Sequence, residues 1–123
     1  YNYDKNIVAY TATHDNDTSL GWLYSLDQGA RDDVLDFIDV GAFEWGAGGK
    51  HCKSTKAMIK AISASSADTV VFPMQDLTGY GSDTRINIPG VAEGNWEFRI
   101  TLSTLEDVDA DFLRKTFNRY GRV

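Results

Sequence analysis

The stretch Ile7-Val8-Ala9-Tyr10-Thr11-Ala12-Thr13-His14-Asp15-Asn16-Asp17-Thr18 passes from an apolar, β-branched run into a cluster of polar groups and then into a helix-like pattern from Ser19. The β-branched and aromatic content predicts a strand over residues 7–11. Asp17 or Thr18 is a natural N-cap for a helix over 18–26, and Asp17 is the candidate we favour. His14 and Asp15 therefore stand where a strand gives way to a helix. In a βα barrel that junction faces the active site.

The rest of the chain repeats the theme. Residues 27–38 carry Val34, Leu35, Phe37 and Ile38 at helical spacing, and the glycine-rich segment 41–50 is a break. A helix is predicted over 54–67 with Ala57, Met58, Ala61, Ile62 and Ser65 on one face. The continuous apolar run 69–72 reads as a strand buried on both faces of a parallel sheet, ended by Pro73. Residues 74–94 read mostly as loop, and a connection of that length inside a compact domain is usually functional. The last helix is predicted over 108–120, with Asp107 or Asp109 as N-cap, Phe112, Leu113 and Phe117 as its buried stripe and Gly121 as terminator. Strand, helix, strand, helix makes an α/β chain of two βα units.

Composition excludes several classes. At 123 residues and 42% hydrophobic content the chain has the length of one domain, short of the roughly 250 residues of a complete (β/α)8 barrel. A net charge of −6 without a basic cluster argues against a nucleic-acid partner. No apolar run approaches the roughly 20 residues of a membrane span, and no signal-peptide pattern is present. The single cysteine, Cys52, has no internal disulfide partner and fits a reducing compartment. The start at Tyr1, six residues before a core strand, reads as an internal cut.

Chemical motifs narrow the field further. Asp15-Asn16-Asp17 has carboxylates at alternate positions, yet an EF-hand loop counted from Asp15 would need Gly and Glu where Leu20 and Leu26 stand, so no metal site is assigned. Gly79, Gly81 and Gly90 do not make a nucleotide cradle, because no lysine occurs between Ala61 and Leu113. No Gly-x-Ser-x-Gly elbow is present, and His51 with Cys52 are sequence neighbours rather than an assembled pair.

A second signal is Gln75-Asp76-Leu77-Thr78-Gly79-Tyr80-Gly81-Ser82-Asp83-Thr84-Arg85-Ile86-Asn87-Ile88-Pro89-Gly90, followed by Glu93-Gly94-Asn95-Trp96 and Arg99. With Thr13 to Asp17, these segments resemble, in order and spacing, the 4-α-glucanotransferases of the amylomaltase, or disproportionating enzyme, family. The resemblance spans residues 7 to 99 and implies that residues 1–123 are the C-terminal part of the catalytic barrel, its last two βα units, incomplete on their own. It also implies retaining transfer of α-1,4-glucan segments between maltooligosaccharides, without a cofactor, by a cytoplasmic enzyme or a plastid one if the source is a plant or alga.

The same resemblance gives the residues their roles. Asp15 corresponds to the third catalytic acid, which steadies an oxocarbenium-like transition state, and His14 to the sugar contact beside it. Asn87 corresponds to an acceptor-side contact, and Asn16 to a substrate contact. Local sequence leaves a plainer reading open for His14 and Asp15, a strand-end histidine and an Asx turn. Arg85 and Asp76 read as a structural ion pair, and Trp96 as a packing residue. Tyr80 and Ala12 depart from the leucine and glycine of the family pattern, which puts a subsite's shape in question. The family's nucleophile and acid/base carboxylates have no counterpart here, so the chain alone is expected to be inactive, the remainder of the barrel being its partner. The competing function is an autonomous, non-catalytic carbohydrate-binding or structural α/β domain.

Overall fold

The computed structural model describes residues 3, 4 and 6–123. Tyr1, on which the expectation of an internal cut turns, lies outside them. Two strands, β1 (Val8–Tyr10) and β2 (Thr69–Val71), pair in parallel with Val8 opposite Thr69, Ala9 opposite Val70 and Tyr10 opposite Val71. Parallel neighbours need a long crossover. Here it consists of α1 (Ser19–Ser25), α2 (Gln28–Phe37), a 3-10 turn at Gly49–His51 and α3 (Lys53–Ser63). The strands are shorter than predicted. Nor is β2 buried on both faces: the sheet has two strands, both with an open edge, and Thr69 and Val71 are exposed.

The helices start at side-chain caps. Thr18, not Asp17, caps α1 by accepting the Gly21 N–H at 3.0 Å. Asp17 instead accepts from the Thr18 N–H and the Ser82 hydroxyl, both at 2.8 Å. Asp27 caps α2 through the Ala30 N–H. At the other end of α1 the buried Arg31 guanidinium donates to the carbonyls of Leu23, Tyr24 and Leu26, which fills the acceptors a helix terminus leaves open. Arg122 does the same for α3, donating to Ser63, Ser65 and Ala67 carbonyls, so that helix stops at Ser63 rather than at residue 67.

Helix α3 is the hub, packing on α1, on α4 (Met74–Thr78) and on α6 (Ala110–Arg119). Its most buried apolar side chain is Ile59, beside Leu23 and Leu35 as the largest fully buried side chains. Of the predicted face, Ser65 is buried, Ala57, Met58, Ala61 and Ile62 are half-buried, and Met58, Ala61 and Ile62 line an apolar groove with Tyr10, Trp22 and Phe37. Helix α6 is capped by Asp109 and carries Phe117, which stacks on Phe72. Its predicted stripe is half-buried, with Thr116 the buried residue. No helix among the described residues is long and apolar enough to cross a membrane.

One helix stands where loop was expected, and a second lies between residues 95 and 107, where no element was assigned. Pro73 ends β2 and also serves as N-cap of α4, whose buried side chains, Gln75, Asp76 and Thr78, are polar. That burial of polar groups hides the helix from a search for apolar periodicity. A 3-10 turn follows at Ser82–Thr84, and α5 (Leu102–Glu106) precedes α6 with a capping box between Thr101 and Thr104.

Gly79 closes α4 in the left-handed region at φ +70°, and its carbonyl accepts from the Gly49 N–H at 2.8 Å. A β-carbon on Gly79 would lie 2.3 Å from the Gly49 carbonyl oxygen. Gly121 shares the left-handed backbone, φ +65°, but nothing lies within 4 Å of its would-be β-carbon. Gly121→Ala should therefore lose only the left-handed penalty, about 1–2 kcal/mol, and Gly79→Ala clearly more. Comparison of the two thermal midpoints checks this; equal losses would mean that the two loops do not meet closely.

Candidate active site

Parallel pairing places the C-terminal ends of β1 and β2 side by side, and the groups of interest are on the segments that leave them. After β1 the chain folds into a tight turn, with Asn16 Oδ1 accepting from both the N–H (2.9 Å) and the hydroxyl (2.8 Å) of Thr13. The turn presents His14 and Asp15 outward, each with its side chain about half exposed, with His14 Nε2 3.2 Å from Asp15 Oδ1. The same Oδ1 accepts from Asn87 Nδ2 at 2.7 Å. Asp15 Oδ2 has no hydrogen-bond partner among the described residues. A carboxylate, an imidazole and an amide thus converge on one point, with one anionic oxygen uncommitted.

Arg85 ties the two loops together: its Nη2 donates to the Asp15 carbonyl at 2.8 Å and its Nε to the Asn87 carbonyl at 2.9 Å. The expected Arg85–Asp76 ion pair does not exist. Asp76 is 2% exposed and accepts instead from the Ser19 N–H and hydroxyl, each at 2.8 Å, and from the Thr11 hydroxyl. A cavity of about 390 Å³ opens at this end of the sheet, lined by Tyr10, His14, Asn16, Phe72, Arg85 and Ile86 among others.

Trp96 also belongs to this region, contrary to the packing role read from its sequence position. Its ring lies 5.2 Å from that of His14, tilted by 33°, and the residue is 57% exposed. Its backbone is left-handed, φ +63°, unusual for a bulky residue. The Trp96 N–H donates to the Ile86 carbonyl at 2.7 Å, and Arg99 donates to the Trp96 carbonyl. Asn95 bridges the neighbouring turn, accepting from the Ile88 N–H and donating to the Val91 carbonyl. Among the described residues no group of three or more His, Cys, Asp and Glu is placed to hold a metal ion.

A sequence profile of the 4-alpha-glucanotransferases, glycoside hydrolase family 77, matches residues 1–104. The chain belongs to this family. It is 37% identical over 126 residues to the chloroplastic/amyloplastic 4-alpha-glucanotransferase of Solanum tuberosum, an alignment covering 100% of this chain and 20% of that protein. It is likewise 37% identical to the 4-alpha-glucanotransferase of Synechocystis, over 99% of this chain and 23% of that one. Among solved structures, the amylomaltase from Streptococcus agalactiae in complex with acarbose superposes with a TM-score of 0.80 at 25% identity, covering 97% of this chain and 22% of that chain. The chain thus spans about a fifth of the length of the 4-alpha-glucanotransferases it matches.

Within this chain the structure brings His14, Asp15 and Asn87 together, while Asn16 lines the cavity with its Oδ1 turned back to Thr13. Tyr80 does not face the cavity. Its hydroxyl donates to Asp107 at the end of α5, and that carboxylate raises its pKa above the ordinary tyrosine value. Cys52 is buried and His51 exposed. The sequence reading assigns Trp96 to packing, and no local feature of Thr11, Ser19 or Asp76 announces their union.

Arg85 and Asn87 separate by stability. Asn87→Ala removes one exposed hydrogen bond and should leave the thermal midpoint within a few degrees. Arg85→Ala removes the donor that joins the Asp15 and Asn87 carbonyls and should lower the midpoint clearly more. Melting curves of the two variants decide; equal losses would mean that Arg85 does not tie the loops together.

Proposed function

We propose that residues 1–123 form the C-terminal part of the catalytic (β/α)8 barrel of a 4-α-glucanotransferase, its last two βα units, and that the whole enzyme moves α-1,4-glucan segments between maltooligosaccharides with retention. The observation that carries this reading is the convergence of His14, Asp15 and Asn87 at the C-terminal end of β1, the end of a barrel strand at which catalytic groups stand. The Streptococcus agalactiae amylomaltase holds acarbose, which supports the cavity beside His14 as a place for an oligosaccharide.

Retaining transfer needs two carboxylates about 5 Å apart, one attacking the anomeric carbon and the other passing the proton. In this reading both come from the remainder of the barrel, and Asp15 is the third. Positive charge develops on the sugar ring as the glycosidic bond breaks. Asp15 Oδ1 is held by Asn87, and Oδ2 is left to meet that charge or a ring hydroxyl. Fixing the carboxylate before reaction means that no reorganisation is needed at the barrier. His14, braced by the Trp96 ring, grips a neighbouring hydroxyl, Asn87 contacts the acceptor sugar, and Asn16 is a further substrate contact. The setting is cytoplasmic, or plastidic in a plant or alga.

In the full-length enzyme Asp15→Asn keeps an oxygen for the Asn87 amide and so keeps the fold, but it removes the negative charge. Both kcat and kcat/KM should fall by about 10²-fold or more, because the lost interaction belongs to the transition state. Near wild-type transfer from maltotriose would sink the role.

The 123-residue chain alone leaves sheet edges and the apolar groove of Tyr10, Trp22, Phe37, Met58 and Ile62 open to water. Incubated with maltotriose, it should yield neither glucose nor longer oligosaccharides and should unfold with weak cooperativity. A sharp two-state transition with maltooligosaccharide binding would instead favour an autonomous carbohydrate-binding domain.

A further inference from the structure

The turn that carries His14 and Asp15 is bracketed by Thr11, just past β1, and Ser19, the first residue of α1, and one carboxylate joins these two ends. Asp76 Oδ1 accepts the Ser19 N–H, and Oδ2 accepts the hydroxyls of Ser19 and Thr11. We propose that Asp76 is the positioning residue of the glucan-transfer site, holding the His14–Asp15 turn at a fixed height over the sheet. The inference rests on the function proposed above.

Three observations carry it. Asp76 is 2% exposed and accepts from the uncharged donors of Ser19 and Thr11, so its burial costs free energy unless those donors stay in place. Helix capping accounts for only part of it: Thr18 takes the Gly21 N–H and Asp76 the Ser19 N–H, both open donors of the start of α1, whereas the bond from the Thr11 hydroxyl reaches across to the far side of the turn. Asp76 also sits on α4 next to Gln75, itself buried, whose Nε2 donates to the Thr84 carbonyl at 3.0 Å, immediately before Arg85. Two adjacent residues of one short helix thus set both loops, the one bearing Asp15 and the one bearing Asn87. A displacement of about 1 Å in such a constellation costs on the order of 10²-fold in rate. Asp76 touches no sugar; its effect passes through the turn.

The test uses the full-length enzyme and the Thr11 end of the tether, since Asp76→Ala strips a buried cluster and risks misfolding. Thr11→Val keeps the shape and β-propensity of threonine but loses the hydroxyl; Thr11→Ser keeps the hydroxyl and loses β-branching. For transfer from maltotriose, well below each thermal midpoint, Thr11→Val should lower kcat about tenfold with KM within about twofold, and Thr11→Ser should recover most of that loss. Ser19→Ala should behave as Thr11→Val. A role in strand stability alone reverses the Thr11 order, because valine favours a strand more than serine does. Wild-type kcat in Thr11→Val, or an equal fall in Thr11→Ser, overturns the inference. Asp15→Asn runs alongside: if it too transfers at the wild-type rate, the proposed function has failed and the tether of its turn falls with it.

Discussion

Parallel pairing of Val8–Tyr10 with Thr69–Val71 is the constraint from which the rest follows. Two parallel strands share a C-terminal end, so whatever leaves β1 and whatever leaves β2 must meet there. The crossover of α1, α2 and α3 has to cover the sheet and return, which makes α3 the common neighbour of α1, α4 and α6. With the strands in register, Thr11 and Phe72 are adjacent positions just beyond the pair. Asp76, one turn into the helix that follows, then lies within reach of Thr11 although 65 residues separate them in sequence.

Carboxylates at this end of the sheet are divided by environment. Asp76 is sealed from water and saturated with neutral donors; Asp15 is half exposed and keeps one oxygen uncommitted. A saturated buried carboxylate is a fastener, whereas a partly committed exposed one can bind. The arginines show a matching economy. Arg31, Arg85 and Arg122 all donate to backbone carbonyls rather than to carboxylates. Carbonyls at helix ends and in turns are fixed acceptors, and a guanidinium with several donors can close two or three at once.

The sequence showed most clearly what rests on local patterns. Both strands, α1 to α3 and α6 follow from apolar periodicity and caps, and the cluster at His14 and Asp15 follows from a strand ending in polar groups. Helix α4 was not legible because its buried side chains are Gln75, Asp76 and Thr78, held by hydrogen bonds rather than by an apolar stripe. The expected pairing of Arg85 with Asp76 failed for a related reason. Opposite charges in one loop suggest an ion pair, yet local pattern gives no account of hydroxyl donors such as Thr11 and Ser19, which reach a buried carboxylate from far along the chain. Trp96 read as packing from its place beyond the loop and before the last helix; its left-handed backbone, with the ring beside His14, has no signature in composition.

Depth of burial follows the same logic. Ile59 and Leu35 are enclosed by the chain's own elements, while Met58, Ala61 and Ile62, which a helical pattern marks equally as core, stay half open beside Tyr10 and Phe37. An apolar face at the edge of a two-stranded sheet is what a parallel sheet presents when a further unit packs against it, since such sheets are covered on both faces. On the proposed reading that unit brings stability and chemistry at once. In that reading, the remainder of the barrel both covers the open sheet edge and supplies the attacking and proton-passing carboxylates that Asp15 joins.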